Sequence, residues 1–139
     1  MAEVFSKLRN CEYNKLMTSP QGSEPSPAEQ LRAFKAEIFK LLAHPTRIHI
    51  LEQLRVGEQP VSSLISQTGV GPANLSQHLS LLRARGLVQS RREGGQSLYQ
   101  LSDPALGEVL DSMRKYFATH VQGALTLLQS EADREESLG

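Results

Sequence analysis

The stretch VSSLISQTGVGPANLSQHLSLLRARGLV, residues 61–88, decides the fold. It holds two short helical patterns with almost nothing between them. In the first, Val61 and Ser62 read as a hydrophobic staple and an N-cap, Leu64 and Ile65 lie inside, and Gly69 is the stop. In the second, Gly71-Pro72 opens a helix that carries Leu75, His78, Leu79 and Leu82 on one face and ends at Gly86. The join from Thr68 to Gly71 is only about three residues, which is the spacing of a helix-turn-helix.

Downstream the apolar period changes from 3.6 to 2. Leu87 to Arg92 and Ser97 to Leu101 are strand patterns on either side of Gly94-Gly95, a pair that tolerates the positive φ of a tight hairpin turn. This is a small β-hairpin wing with basic residues near its tip. Asp103 then caps, and Pro104 begins, a long helix running to about Gln129. Along it Leu106, Leu110, Met113, Phe117, His120, Ala124 and Leu127 recur at spacings of 4, 3, 4, 3, 4 and 3. A 3.5-residue repeat is a seam for a second helix. At ~1.5 Å per residue this helix spans roughly 38 Å, more than a domain of this size needs for its own core. The expectation is a homodimer paired through the terminal helices.

Upstream, Ser26, Pro27 and Glu29 place a capping side chain, a first-turn proline and a capping-box glutamate ahead of Leu31, Phe34, Ile38, Leu41 and Leu42. Pro45 interrupts, and a second helix follows through Ile48, Leu51 and Leu54 to Gly57. Residues 18–27, TSPQGSEPSP, read as a linker, preceded by a short helix around Val4 to Leu16. The expected organisation is residues 1–25 as an N-terminal arm and flexible linker, and 26–129 as a winged helix-turn-helix domain with a C-terminal dimerisation helix. Residues 130–139 are expected to form an acidic disordered tail. The fold class is mainly α with a small β-hairpin wing.

The 139 residues balance fifteen Lys+Arg against fifteen Asp+Glu, with 39% apolar residues. This fits one domain with a modest core and argues against a disordered chain or a highly charged coat protein. A single cysteine, Cys11, excludes an intramolecular disulfide and a Cys-rich zinc framework. The start has no apolar core of signal-peptide length, and no run approaches the ~18 apolar residues that span a bilayer. A soluble cytoplasmic protein with no membrane association is expected. The zero net charge hides an asymmetry. Residues 71–100 carry Arg83, Arg85, Arg91 and Arg92 against Glu93, so 4 − 1 = +3. Residues 131–139 carry Glu131, Asp133, Glu135 and Glu136 against Arg134, so 1 − 4 = −3. A basic region on a neutral protein is a nucleic-acid footprint when the elements around it agree, since a phosphate feels the local field.

The residues resemble the ArsR/SmtB repressors of bacteria. FKLLAHPTRIHILEQL (39–54), VSSLISQTGVGPANLSQHLSLLRARGLV (61–88) and RREGGQSLYQLSD (91–103) carry the resemblance, which spans roughly residues 34–120. It implies a homodimeric transcriptional regulator, a repressor of an operator near its own gene, released by an inducer.

The helix from Pro72 has a face suited to that task. At 100° per residue Ala73, Gln77, Ser80 and Ala84 point away from the apolar stripe, with Asn74 and Ser76 on its flanks. Small and amide-bearing side chains let a helix enter a major groove. Gln77 can pair bidentately with an adenine edge, and Asn74 can do so from the first turn. Ser76 and the amides near Pro72 fall close to phosphates, Arg83 lies near the helix end, and Arg91 and Arg92 flank the wing turn as phosphate or minor-groove contacts. The candidate DNA-binding set is therefore Pro72, Asn74, Ser76, Gln77, Ser80, Arg83, Arg91 and Arg92. His78, on the edge of the apolar stripe, is read as a partly buried structural residue; His44 and His49 are read as turn and helix-surface residues.

Sensing is less defined. Family metal sites use cysteines flanking a Val on the first helix of the motif, where this chain has Pro60 and Ser62 around Val61. Another uses an Asp and a His early in the last helix with a His and a carboxylate farther on. Asp103 matches the first, but the others fall on Ala105, Tyr116 and Thr119. Zinc needs about four ligands, so neither site, and no cofactor, is expected. Cys11, a lone thiol in the arm, and His120, a titratable group in the seam, are the sensing candidates. The inducer is not readable.

Catalysis is not expected, because no nucleophile–base arrangement or phosphate-cradling glycine motif is present and Glu135 and Glu136 fall in a polar tail. The rival reading is a winged-helix protein-interaction module, or a regulator controlled by a partner instead of an inducer. The small polar groove face and the two wing arginines favour DNA.

Overall fold

The computed structural model describes residues 24–137. Helix α1 (Pro27–Leu42) opens on a complete capping box. The Ser26 hydroxyl accepts from the Glu29 amide at 3.3 Å, and the Glu29 carboxylate accepts from the Ser26 amide at 2.7 Å. Helix α2 (Pro45–Leu54) follows almost at once, because His44 is its N-cap: the ring Nδ1 accepts from the Thr46 amide at 3.2 Å. The Arg47 Nε donates to the Leu41 carbonyl and ties the end of α1 to the start of α2.

A two-residue strand β1 (Gln59–Pro60) precedes helix α3 (Val61–Thr68). Gly69 ends α3 at φ +68, the left-handed region that glycine adopts without penalty, and its amide bonds back to the Ile65 carbonyl at 2.9 Å. Helix α4 (Pro72–Ala84) begins three residues later with Pro72 in its first turn. Strands β2 (Val88–Glu93) and β3 (Gln96–Leu101) form the hairpin, closed by Gly94 and Gly95 at φ +55 and +78, the geometry that twists with the strands. The sheet is antiparallel in the order β1-β3-β2.

The core is aliphatic. Leu42 of α1, Ile50, Leu51 and Leu54 of α2, Leu64 of α3, Leu75, Leu79 and Leu82 of α4, and Leu87 and Val88 are buried. Helix α2 lies centrally, packing on α1, α3, α4 and β3, while α4 also packs on β2. Each such side chain contributes about 1.5–3 kcal/mol relative to exposure. This core fixes where α4 and the wing stand, and so where their outer faces point.

The chain divides after Asp103, and helix α5 (Pro104–Ser137) is a unit of its own. Tyr116, Phe117, Val121, Leu125, Leu127 and Leu128 are exposed on it. At 100° per residue these extend beyond the heptad seam to cover about half of the helix circumference.

Three expectations are corrected. The hairpin has a third strand, because Gln59 and Pro60 pair with Tyr99 and Leu98. Helix α3 starts at Val61 with Pro60 as N-cap and no side-chain capping bond, so Ser62 is inside the helix. The acidic segment from residue 130 is helical through Ser137, not a disordered tail. Nothing after Gln129 breaks a helix, and Glu, Ala and Arg favour one. The predicted helix around Val4 to Leu16, and Cys11, lie outside the described residues. No described helix is long and apolar enough to cross a membrane.

Candidate nucleic-acid interface

Helix α4 separates into two faces. Leu75, His78, Leu79 and Leu82 are buried, which is the stripe its sequence predicts. Pro72, Ala73, Asn74, Ser76, Gln77, Ser80, Arg83 and Ala84 are exposed. At the N-terminus Gly71 is the N-cap with no side-chain capping bond, so the first-turn amides face solvent at the positive end of the helix dipole. Leu81 was missed by sequence reading. It is 48% exposed on the flank shared with Asn74 and Gln77. The signal was its absence from the buried stripe, since an apolar residue outside that stripe has a thymine methyl among its natural contacts.

His78 is 7% exposed, and its Nδ1 has no hydrogen-bond partner among the described residues. Its ring stands 4.5 Å, centroid to centroid, from that of His44. Burial, then the adjacent His44 and Arg47, hold its pKa below the usual histidine value. His78 is therefore a neutral core residue at neutral pH. His44 is a helix cap whose ring meets it at a 54° tilt, not a simple turn residue.

The wing divides its arginines between two faces. Directly paired residues of an antiparallel sheet point the same way. Arg91 is in register with Leu98, and Leu98 with Pro60. Arg92 is in register with Ser97 and points to the opposite face. The residue just before β1, Glu58, reaches Arg91. The Arg91 Nε donates to Glu58 Oε2 at 2.8 Å, and an Arg91 terminal nitrogen donates to Glu58 Oε1 at 2.6 Å. The same nitrogen lies 2.8 Å from a Glu93 carboxylate oxygen. This forked pair holds the Glu58 carboxyl below its usual pKa and raises that of Arg91. Arg85 lies 3.5 Å from Glu37 of α1. Arg83 and Arg92 have no carboxylate partner among the described residues. Of the four arginines in the basic region, two are neutralised within the fold.

His120 is exposed on α5, its ring 4.1 Å from Tyr116 and its Nδ1 3.0 Å from the Tyr116 carbonyl. Among the described residues no group of three or more His, Cys, Asp or Glu side chains is placed to hold a metal ion.

Residues 44–90, from the cap of α2 into β2, match the family model described as bacterial regulatory protein, arsR family. The HTH-type transcriptional regulator Rv0081 of Mycobacterium tuberculosis is 40% identical over 103 residues, 73% of this chain and 90% of that protein. The chain belongs to the arsR family of bacterial regulatory proteins. The crystal structure of Rv0081 aligns with this arsR-family chain at a TM-score of 0.64, covering 74% of it and 99% of Rv0081. The HTH-type transcriptional repressor SmtB of M. tuberculosis is 37% identical over 91 residues, 66% of this chain and 67% of that one. A solution structure of Mb0332 from Mycobacterium bovis, described as a homodimeric winged helix-turn-helix DNA-binding domain, aligns at 0.65. It is 26% identical and covers 73% of this chain and 94% of that fragment. The winged helix-turn-helix of this arsR-family protein is thus α3 and α4 followed by the β2–β3 wing.

Proposed function

We propose that the chain is a sequence-specific, DNA-binding transcriptional repressor of the cytoplasm, acting as a homodimer on an inverted-repeat operator. The observation that carries the reading is the outer face of α4. Ala73, Gln77, Ser80 and Ala84 form a small, polar ridge backed by a fully buried apolar stripe. Such a ridge lets the helix sit deep in a major groove without bulk to hold it off. Gln77 and Asn74 read base edges, Leu81 meets thymine methyls, and Ser76 with the first-turn amides that follow Pro72 takes phosphate. Arg83 and Arg92 supply charge at the two ends of the footprint. No catalysis and no bound cofactor belong to this reading.

Pairing falls to α5. Its exposed apolar half is a surface that a second copy covers, in keeping with the homodimeric description of the Mb0332 domain. A two-fold dimer presents its two α4 helices to half-sites about one helical turn, ~34 Å, apart. A signal that loosened α5 pairing would separate the two helices and release the operator. His120 falls within the α5 repeat read as that seam, and Cys11 within the sequence read as an N-terminal arm, so these remain the sensing candidates. Fluorescence anisotropy of reduced, chelator-treated protein on the DNA just upstream of its own gene tests the reading. Tight, salt-sensitive binding that an unrelated duplex does not reproduce is expected. Equal binding of both duplexes at every salt would overturn sequence-specific repression, and binding of neither would favour a module that binds protein.

A further inference from the structure

Arginines on a wing are ordinarily counted as phosphate contacts, yet here one of the two is already occupied. Arg91 is gripped at two nitrogens by Glu58, and one of those nitrogens also meets Glu93. The grip is built into the topology. Pro60 is in register with Leu98, and Leu98 with Arg91, so residues at alternate positions along β1 and β2 share that face. Glu58, two residues before Pro60, and Glu93, two residues after Arg91, fall on it. The Glu58 side chain is 25% exposed against 53% for Arg91, and both carboxylate oxygens are engaged by the guanidinium. A forked carboxylate offers a guanidinium the same two acceptor oxygens as a phosphate. The trio carries two negative charges and one positive, and so presents net −1 to a duplex.

Resting on the DNA-binding reading above, we propose that Glu58, together with Glu93, withholds Arg91 from the DNA backbone and thereby sets the electrostatic strength of binding. The wing then contacts phosphate through Arg92, whose opposite face has no such carboxylate among the described residues. Glu58 is a positioning residue, acting on DNA through Arg91. Nothing local in the sequence announces it, because it lies 33 residues from Arg91.

The salt slope of binding counts phosphate contacts at ~0.9 each, hence ~1.8 for the two wings of a dimer. The experiment uses the full chain on two labelled duplexes of equal length, one from just upstream of its gene and one unrelated. Arg91→Ala is expected to leave the slope at its wild-type value, and Arg92→Ala to flatten it by ~1.8. The double variant E58Q/E93Q is expected to steepen it by up to ~1.8, a roughly tenfold larger loss of affinity between 50 and 200 mM salt. Adding Arg91→Ala to that double variant should erase the gain. If the gain came only from removing negative charge near DNA, it would survive the added Arg91→Ala, and the proposal would be overturned. A flatter slope for Arg91→Ala in the wild-type background, or an unmoved slope for E58Q/E93Q, overturns it equally. All substituted groups lie at the surface, and circular dichroism confirms that each variant is folded. Because phosphate contacts are independent of sequence, the unrelated duplex separates the two claims. Wild-type protein that binds both duplexes alike sinks sequence-specific repression while the slopes still judge Arg91. Protein that binds neither duplex at any salt sinks both.

Discussion

Helices α4 and α5 are both amphipathic, and they resolve that pattern in opposite ways. Helix α4 buries Leu75, Leu79 and Leu82 almost completely within its own domain and turns a small polar ridge outward. Helix α5 leaves Tyr116, Phe117, Val121, Leu125, Leu127 and Leu128 exposed. The same 3.6-residue arithmetic therefore serves two ends. Where the partner is in the chain, the apolar face is a foundation for a presented surface. Where it is not, the apolar face is itself the surface, of the kind that marks an interaction site.

The largest effect that sharpens this contrast is on pairing. Phe117→Ala removes an aromatic side chain from the exposed stripe of α5. Burying a Phe contributes about 1.5–3 kcal/mol, and two-fold symmetry counts it twice, so the dimer should weaken by about 3–6 kcal/mol. Sedimentation velocity across a concentration series should show the monomer appearing two to four powers of ten higher in concentration. An unchanged dimer would mean that the α5 stripe is not the pairing surface, and the contrast with α4 would lose its second half.

The next effect belongs to α4. Leu79→Ala opens a cavity beneath the presented ridge and should lower unfolding stability by about 2–5 kcal/mol, read from denaturant midpoints. It should do so at all protein concentrations alike once dimerisation is accounted for. Gln77→Ala, on the outer side of the same helix, should leave stability within about 0.5 kcal/mol. Its effect should instead be a loss of about 1–3 kcal/mol of discrimination at one base position per half-site, measured with a panel of single-substitution duplexes. Uniform weakening across the panel would make Gln77 a backbone contact.

What was legible in the sequence follows the same division between near and far. The capping box at Ser26 and Glu29, the Gly94-Gly95 turn, the stop at Gly69 and the buried stripe of α4 were all readable, because each depends on residues within about one helical turn or one hairpin. The candidate DNA face was readable as the complement of that stripe. Strand β1 was not, because two residues carry no period and its partners Tyr99 and Leu98 lie far along the chain. The pairing of Arg91 with Glu58 and of Arg85 with Glu37 was hidden for the same reason. Local counting gave the basic region a charge of +3, and tertiary partners cancel part of it. The end of α5 was misplaced because a run of acidic residues reads as a tail, although Glu and Ala are good helix formers.

The smallest effect concerns the one polar group inside the α4 stripe. His78 is 7% exposed, its Nδ1 has no partner among the described residues, and burial, then His44 and Arg47, lower its pKa from the ordinary value of 6.5. The unfolded chain therefore binds a proton to this ring at a higher pH than the folded chain does. Stability from the neutral ring is complete above about pH 6.5 and is lost as pH falls from there toward the lower folded value. His78→Leu fills a similar space with no ring nitrogen to leave unpaired. The variant should match or exceed the wild type at pH 7.5 and lose less stability between pH 7 and 5, read from thermal midpoints at several pH values. Since Leu75, Leu79 and Leu82 still anchor α4, operator affinity at pH 7.5 should stay near the wild-type level. An equal acid loss in both proteins would place the titrating group elsewhere. A large loss of operator affinity with stability intact would move His78 from the foundation of α4 to its presented face, and with it the boundary on which the comparison of the two helices rests.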